Sequence, residues 1–563
     1  MKAHRPWYRK KRLIIPAVFC VFIVVFSLIF NRLTQIHPPQ NINLSVLSEK
    51  PDTTATGLIR LGQNRLMKNP QGLWEMYLQG EAFERGKAFG KMCQPLIYHQ
   101  EKAFVDQIKN FVPNEFYLKF LKYLLAWFNK DLDKNIPDEY LREMYGVSLA
   151  HSPDFEFVGE AYGRVLNYHA AHDIGHALRQ YMLVGCSSFA VQDSLSEDGK
   201  MLIGRNFDFY VGDAFAENKI VAFCSPDSGH QFMWVTWPGF IGAASGMNMA
   251  GLSVTINAAS STPPLGTKTP IAILTREILQ YASNIEEAIA IASRRETFVS
   301  ESILIGSAKD KKAVIIEKSP EKTAVFSPSA YPLICTNHYQ SSEFENDKLN
   351  IENIQNSDSP YRFQRLAELI KQQNPLSPLK VAEILRNKEG VDGESLGFGN
   401  QLAINQLVAH HSVIFKPEEL KVWVSAPPYQ LGEYVCYDLK NVFDKFGKNS
   451  VTTSVQQEEN NIPADEFLKS SQFRGYENYR KLKYYIQYFS NVEKNIDLSE
   501  DWLKTFENSN PNYYLTQVML GNYFNHQNNP NKARLHYLKA LALPVATSAE
   551  RKEIEEFLME INP

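Results

Sequence analysis

Two short apolar blocks constrain this chain more than any other feature. Gly185-Cys186-Ser187-Ser188-Phe189 and Gly204-Arg205-Asn206-Phe207-Asp208-Phe209 stand about twenty residues apart, with Asp198-Gly199 between them. An Asp-Gly pair between apolar runs signals a hairpin, because tight hairpin turns need backbone with positive φ. The spacing therefore predicts paired strands, with a cysteine opening one and an Arg and an Asp closing the other. Such a hairpin offers a nucleophile on one strand and groups that tune it on the next.

The hairpin also marks a change of period. From about Gly57 to Tyr181 the chain reads mostly helical. Gly80 to Gly90 has small residues spaced for close helix packing, and Phe104 to Phe128 alternates apolar and charged residues near a period of 3.6. From Cys186 onward, short apolar runs at 187–192, 201–207, 220–224, 231–237, 241–245 and 251–257 read as strands. Helices are expected at 270–281, 285–293 and from about 360, and further strands at 302–306, 313–318, 323–326, 333–336, 412–415, 421–424 and 433–437. Strand groups interleaved with helix pairs imply stacked sheets covered by helices, an α+β layered architecture.

Gly447 to Pro463 is polar and reads as a linker. Beyond it the chain is helical, and Leu520-Gly521, Phe524, Ala533, Tyr537, Ala540 and Pro544 fall close to tetratricopeptide spacing. One repeat cannot bury its own face, so a small helical bundle is expected. It is read either as an appendage packed on the preceding domain or as a docking module for a protein partner.

The first thirty residues read as an address. Lys2, Arg5, Arg9, Lys10, Lys11 and Arg12 precede an uncharged run from Leu13 to Phe30. Such a run is near the lower limit for spanning a bilayer, and its basic flank predicts a cytoplasmic N-terminus. A cleaved signal peptide competes with this reading, but the apolar run is long for one and no A-x-A-like site follows. Cys20 lacks the small residues before it that lipidation would use. The expectation is a single-pass signal anchor in the cytoplasmic membrane, with the catalytic part on the outer side. A tether follows over residues 37–56.

Composition excludes other classes. A net charge of -3 leaves no basic footprint for nucleic acid. The six cysteines are irregularly spaced and include no CxxC, so neither a disulfide framework nor a structural metal site is expected. No cofactor is called for. His169, His172 and His176 share a helix face with Asp173 among them, as ligands would, but packing or a part in chain cleavage is the preferred reading. His410-His411 has no partner pattern and reads as structural.

A thiol needs a base to become a thiolate near neutral pH. No His closely follows Cys186, and no papain-like Cys-Gly-x-Cys occurs. If Cys186 became the first residue of a new chain, its own α-amino group, with a pKa of about 7.7–8.0, would be the base. Gly185 suits this, since a small residue lets the thiol reach the preceding carbonyl.

These blocks, with Met247 to Asn257, Cys335-Thr336-Asn337-His338, Ser359-Pro360-Tyr361-Arg362-Phe363, Ser412 to Phe415 and the strand ending at Val424, resemble the acyl-coenzyme A:6-aminopenicillanic acid acyltransferase-like family. Its members are N-terminal-nucleophile (Ntn) hydrolases, related to choloylglycine hydrolases and acid ceramidase. The resemblance runs from about Gly57 to Leu439, and it is the order of the blocks that makes it specific. It implies a four-layer αββα fold, autoproteolysis at Gly185–Cys186 and chemistry on linear amide C–N bonds.

Combined with physical need, the resemblance implies roles. Cys186 would attack the amide carbonyl and its freed amine would shuttle the proton. Arg205 would lower the thiol pKa. Asp208 would accept from the new α-ammonium or hold Arg205. Asn257 and Asn337 would donate to the oxyanion, and Arg362 would support the nucleophile's hydrogen bonds. Phe207, Phe209, Tyr210, Phe215, Trp234, Trp237 and Phe240 are mostly core, with some lining an acyl pocket.

The expected organisation is an anchor at 1–36, a tether at 37–56, a catalytic domain at 57–446 (a helical pro-segment at 57–185, then the nucleophile-bearing part at 186–446), a linker at 447–463 and a helical module at 464–563. The expected activity is hydrolysis of a small N-acyl amide, with the cleaved N-terminal fragment staying bound. Acyl transfer to an amine is the alternative. Water rather than acyl-coenzyme A outside the membrane favours hydrolysis. An inactive Ntn scaffold and an ordinary cysteine peptidase are the readings from other classes.

Overall fold

A computed structural model describes residues 7–42, 48–111, 114–177, 183–260, 262, 264, 266–448, 451–491 and 496–561. The hairpin forms as its turn chemistry demands. Leu183–Asp193 and Gly199–Tyr210 run antiparallel, with Gly185 opposite Asp208, Cys186 opposite Phe207 and Ser188 opposite Arg205. Gly199, at the turn, has φ of 75°, a conformation costly for residues with a Cβ.

This hairpin sits inside a six-stranded sheet. Leu333–Cys335 flanks the cysteine strand, and His411–Lys416, Lys421–Ser425 and Tyr434–Asp438 follow on the other side. The remaining strands build an eleven-stranded sheet, mostly antiparallel, in which Trp74–Gly80 and Ile220–Pro226 pair in parallel. The period-2 pattern decides what each face buries. Ala190, Met201, Ile203, Val413 and Val424 meet Val221, Phe223, Met233, Leu304 and Ile315 between the sheets. On the outer face of the larger sheet lie the helices Ala82–Met92, Asp138–Ser148, Ala161–Ala177 and Ile271–Tyr281. Phe189, Val191 and Leu202 face outward from the smaller sheet onto Ser359–Gln373 and Pro378–Leu385. The chain is thus a mixed α/β fold of stacked sheets with a helical C-terminal region.

The strand and helix expectations after Cys186 hold closely, with one exception. Residues 241–245 do not form a strand; the chain there is irregular, Ala243 N–H donates to Ala272 O, and pairing begins at Ser245. Before Cys186 the helical reading missed Ile59–Leu61, Asn64–Lys68 and Trp74–Gly80, runs too short for periodicity to separate strand from helix. The polar stretch at 447–463 lies against the smaller sheet. Val451, Val455 and Ile462 are buried, and Ile462 bridges to Tyr434 on the edge strand. The C-terminal helices share a core with the preceding part of the chain, where Tyr476, Tyr513 and Tyr514 pack with Leu396, Leu402 and Leu407.

The anchor expectation is corrected. Trp7–Thr34 is helical, but no helix among the described residues is long and apolar enough to cross a membrane. Its described side chains begin at Val18. Lys2 and Arg5 of the basic flank lie outside the described residues. The single-pass membrane location therefore lacks its spanning element. The tether is partly seated, since Glu49 pairs with Lys87 at 2.9 Å and Asp52–Thr53 pairs with Ile59–Leu61.

The small residues of Gly80 to Gly90 do what their spacing implies. A Cβ on Gly86 would lie 1.9 Å from the Glu143 carbonyl oxygen, and one on Gly146 would lie 2.5 Å from Lys87 N. Gly163, in a neighbouring helix, has open space around it. Gly86→Ala is expected to destabilise by about 1–3 kcal/mol through overpacking against backbone. Gly163→Ala is expected to stabilise by roughly 0.5–1 kcal/mol through helix propensity. Opposite shifts in melting temperature check the pair.

Candidate active site

The backbone nitrogen of Cys186 lies at the centre of a hydrogen-bond set. Its N–H donates to Asn337 Oδ1 at 2.9 Å, and Arg362 Nη2 donates to the same oxygen at 2.7 Å. Arg362 Nη1 donates to Cys186 O at 2.6 Å and to Ser187 Oγ at 3.0 Å. Strand register brings Asn337 there. Cys335 pairs antiparallel with Ser188, so the residue two further on arrives level with Cys186. Arg362 comes from the first turn of Ser359–Gln373, packed on the outer face of the same sheet. Asp358 holds its Nε at 3.1 Å.

The thiol points to the other face. Arg205 Nη2 lies 3.9 Å from Cys186 Sγ and also donates to Ile256 O. Arg205 Nη1 donates to Ser245 Oγ at 2.6 Å, and the guanidinium sits 4.3 Å from the centre of the Phe207 ring. Burial pushes the Cys186 thiol up to about 11, with Arg205 opposing it. The thiol is therefore protonated near neutral pH in the uncut chain.

Asp208 lies on the outer face, opposite Gly185. It is fully buried, and neither carboxylate oxygen has a hydrogen-bond partner among the described residues. Burial pushes its pKa up to about 7, with Arg362 and Arg205 opposing. Gly185 has a second reason to be glycine, since a Cβ there would lie 2.6 Å from Gln406 Nε2.

The structure thus gathers Gly185, Cys186, Arg205, Asp208, Asn337 and Arg362 around one peptide bond. Asn257 stands one step away. Its Oδ1 accepts from Ser188 Oγ at 3.0 Å, and its Nδ2 donates to Cys335 O at 2.9 Å and Thr336 O at 3.1 Å. Asn337 Nδ2 donates to Ala258 O at 2.8 Å. Each amide thus donates to backbone carbonyls across the two sheets, Asn257 with both hydrogens and Asn337 with one.

Sequence reasoning missed three groups here: Ser245, Gln406 and the active placement of His411. His411 Nε2 lies 2.8 Å from Ser245 Oγ and 3.1 Å from Arg205 Nη1. The one available signal was the adjacency of two histidines at the start of a strand. Phe209, Phe215, Trp237 and Phe240 line a cavity of about 40 Å³. Phe209 pairs with residue 184, two positions before Cys186. Trp234 is core, stacked near Arg276 at 4.7 Å. His169 braces its helix, with Nδ1 2.7 Å from Val165 O and Nε2 accepting from Ile241 N–H at 2.9 Å. Asp173 accepts from Ile271 N–H at 2.9 Å. The side chains of His172 and His176 lie outside the described residues.

Residues 194–426 match the family described as acyl-coenzyme A:6-aminopenicillanic acid acyl-transferase, a span that starts after Cys186 and includes Arg205, Asp208, Asn257, Asn337 and Arg362. An uncharacterized protein of Archaeoglobus fulgidus is 26% identical over 270 residues, covering 45% of this chain and 45% of its own. Protein dcd1B of Dictyostelium discoideum is 22% identical over 270 residues, covering 45% of this chain and 51% of its own. The chain spans about half the length of these curated relatives.

Among solved structures, the Caenorhabditis elegans ortholog of N-acylethanolamine-hydrolyzing acid amidase is 18% identical, with a TM-score of 0.30, over 41% of this chain and 93% of its own. A mutant of conjugated bile acid hydrolase from Clostridium perfringens is 13% identical, with a TM-score of 0.29, over 43% of this chain and 89% of its own. Over residues 194–426, this chain is similar to the family described as acyl-coenzyme A:6-aminopenicillanic acid acyl-transferase.

Proposed function

We propose that this chain is an amide-cleaving enzyme that frees its own nucleophile by cutting the Gly185–Cys186 bond. One observation carries the reading. The backbone nitrogen of Cys186 rests on an acceptor, Asn337 Oδ1, while the carboxylate of Asp208, opposite Gly185, is buried with no donor among the described residues. A backbone amide does not need a buried carboxylate close by, and burying one unpaired is costly. An α-ammonium at that nitrogen would pair with it.

In the uncut chain the Cys186 sulfur attacks the Gly185 carbonyl carbon. The S–C bond forms, the C–N bond breaks and the thiol proton passes to the leaving nitrogen. Water then hydrolyses the thioester, giving a Gly185 carboxylate and a free Cys186 amine. In turnover the same sulfur attacks a substrate amide, with the α-amine as base and then acid. Arg205 supplies the positive charge that favours thiolate. The acyl group leaves to water, or to an amine in the alternative acyl transfer. The argument for water from an outer location falls with the anchor, so hydrolysis stands on the simpler acceptor alone. Ala82–Met92 and Ala161–Ala177 share one core with Cys186, so the N-terminal fragment stays bound after the cut.

Full-length protein on a denaturing gel should show a second fragment whose N-terminal sequence reads Cys-Ser-Ser-Phe, and Cys186→Ala should abolish it. A chain that stays intact yet keeps full amidase activity would sink the reading. With the thiol pushed up to about 11, the attacking thiolate gains about tenfold for each pH unit below that value. Self-cleavage should therefore accelerate as pH rises from neutrality, which a time course at several pH values checks. Asp208→Asn should lower amidase turnover by about 100-fold or more while leaving the melting temperature unchanged or raised, since a buried unpaired carboxylate is removed.

A further inference from the structure

We propose that His411, backed by His410 and Ser245, is a positioning residue that holds the Arg205 guanidinium against the Cys186 thiol without neutralising its charge. The proposal rests on the reading of Cys186 as the nucleophile.

The starting point is a contrast among the arginines. Arg85, Arg164, Arg205, Arg276 and Arg362 are all fully buried. Arg85 contacts Glu143 at 3.0 Å and Arg164 contacts Glu101 at 2.7 Å. Arg276 contacts Glu143 at 3.3 Å and Arg362 contacts Asp358 at 3.1 Å. Arg205 has no carboxylate in contact among the described residues. Its partners are Ser245 Oγ, His411 Nε2, Ile256 O and Cys186 Sγ. Asp208 and Glu301 act on it only through space.

Buried cations are ordinarily paired because desolvation is expensive. A carboxylate on Arg205 would cancel most of its field at a sulfur 3.9 Å away. Neutral acceptors take the N–H groups of Nη1 and Nη2, while Nε has no partner among the described residues, and the charge is left to act on the thiol.

The protons can be placed. A guanidinium only donates, so His411 Nε2, 3.1 Å from Arg205 Nη1, presents its lone pair. The His411 proton is then on Nδ1, which lies 2.9 Å from His410 Nδ1. That nitrogen must accept, so His410 carries its own proton on Nε2. Ser245 Oγ accepts from Arg205 Nη1 at 2.6 Å and lies 2.8 Å from His411 Nε2, whose single lone pair the hydroxyl and the guanidinium share. His410 thus fixes the tautomer that His411 needs.

The sheet builds this arrangement directly. Cys186, Phe207 and His411 are register partners on three adjacent strands, so their side chains share one face. Thiol and imidazole stand on either side of the Phe207 ring, and Arg205 spans them from two residues along. Burial, Arg205 and Lys219 hold both imidazoles well below their usual range, so they stay neutral acceptors. Lys219 is itself turned away, with Nζ donating to Ser425 O at 2.7 Å.

The test compares full-length protein with His411→Gln, His411→Glu and His411→Leu. The readout is the rate at which methyl methanethiosulfonate modifies Cys186 at pH 8, followed by mass spectrometry of its peptide. His411→Gln keeps a neutral acceptor and should stay within about twofold of the parent. His411→Glu offers a better acceptor but a negative charge, and should slow modification by about tenfold, one unit of thiol pKa. His411→Leu removes the acceptor and should fall between them. A merely structural role predicts Glu to serve at least as well as Gln. Equal rates in all chains, or a rate with Glu at or above that with Gln, would overturn the proposal. If the Glu chain does not fold, Gln against Leu decides, and equal rates there overturn it. Cleavage at Gly185–Cys186 is scored in the same samples, so an uncut chain sinks the autoproteolysis reading while the modification rates still judge His411.

Discussion

The register between Leu183–Asp193 and Gly199–Tyr210 decides what every other group near Cys186 does. A slip of one residue would turn every side chain of a strand to the opposite face. In the observed register Cys186, Arg205, Phe207 and His411 face the larger sheet, where Ser245 and Ile256 O receive the guanidinium. Gly185, Ser187, Asn206 and Asp208 face the helices Ser359–Gln373 and Pro378–Leu385, where Arg362 enters. The Gly185–Cys186 peptide therefore separates two environments. Its sulfur side holds a cation with neutral partners, and its nitrogen side holds acceptors.

Burial sets the electrostatics of both sides. It raises the thiol and the Asp208 carboxyl and lowers the two imidazoles. Folding stability alone does not favour such groups, since replacing a buried charge with an apolar side chain is often neutral or better. Arg85, Arg164 and Arg276 show how this chain handles charges that serve structure: each meets a carboxylate. Arg205 and Asp208 depart from that habit on the two sides of one peptide bond. That is where the proposed reaction, creating a thiolate and an ammonium, would need them.

Much of this was legible in residue order. The Asp-Gly turn and the apolar blocks around it predict the hairpin, and the glycines from Gly80 to Gly90 predict the close helix pair. Cys186, Arg205, Asp208, Asn337 and Arg362 were all expected near one another. Other features were hidden for physical reasons. The stretch at 447–463 has polar composition, yet a few apolar residues, Val451, Val455 and Ile462, suffice to seat it on an edge strand. The apolar run after Leu13 suggested a membrane span that no helix among the described residues provides. Asn257 and Asn337 carried the right chemistry for an oxyanion, but their amides donate to carbonyls that only the stacking of two sheets brings close.

Period and turn chemistry are local, so they were enough to place Cys186 on a strand paired with the one that carries Arg205 and Asp208. They also showed that no histidine near it in sequence could act as its base. What packs on that face depends on residues far along the chain, and only the folded molecule could decide it. Ser245 and His411 lie 166 residues apart and meet at 2.8 Å because two different sheets carry them. Whether Arg205 would be paired or left charged against the thiol was therefore invisible in the sequence, where nearby carboxylates are plentiful and contact is unknown. Tertiary packing placed neutral acceptors on it and kept the carboxylates at a distance.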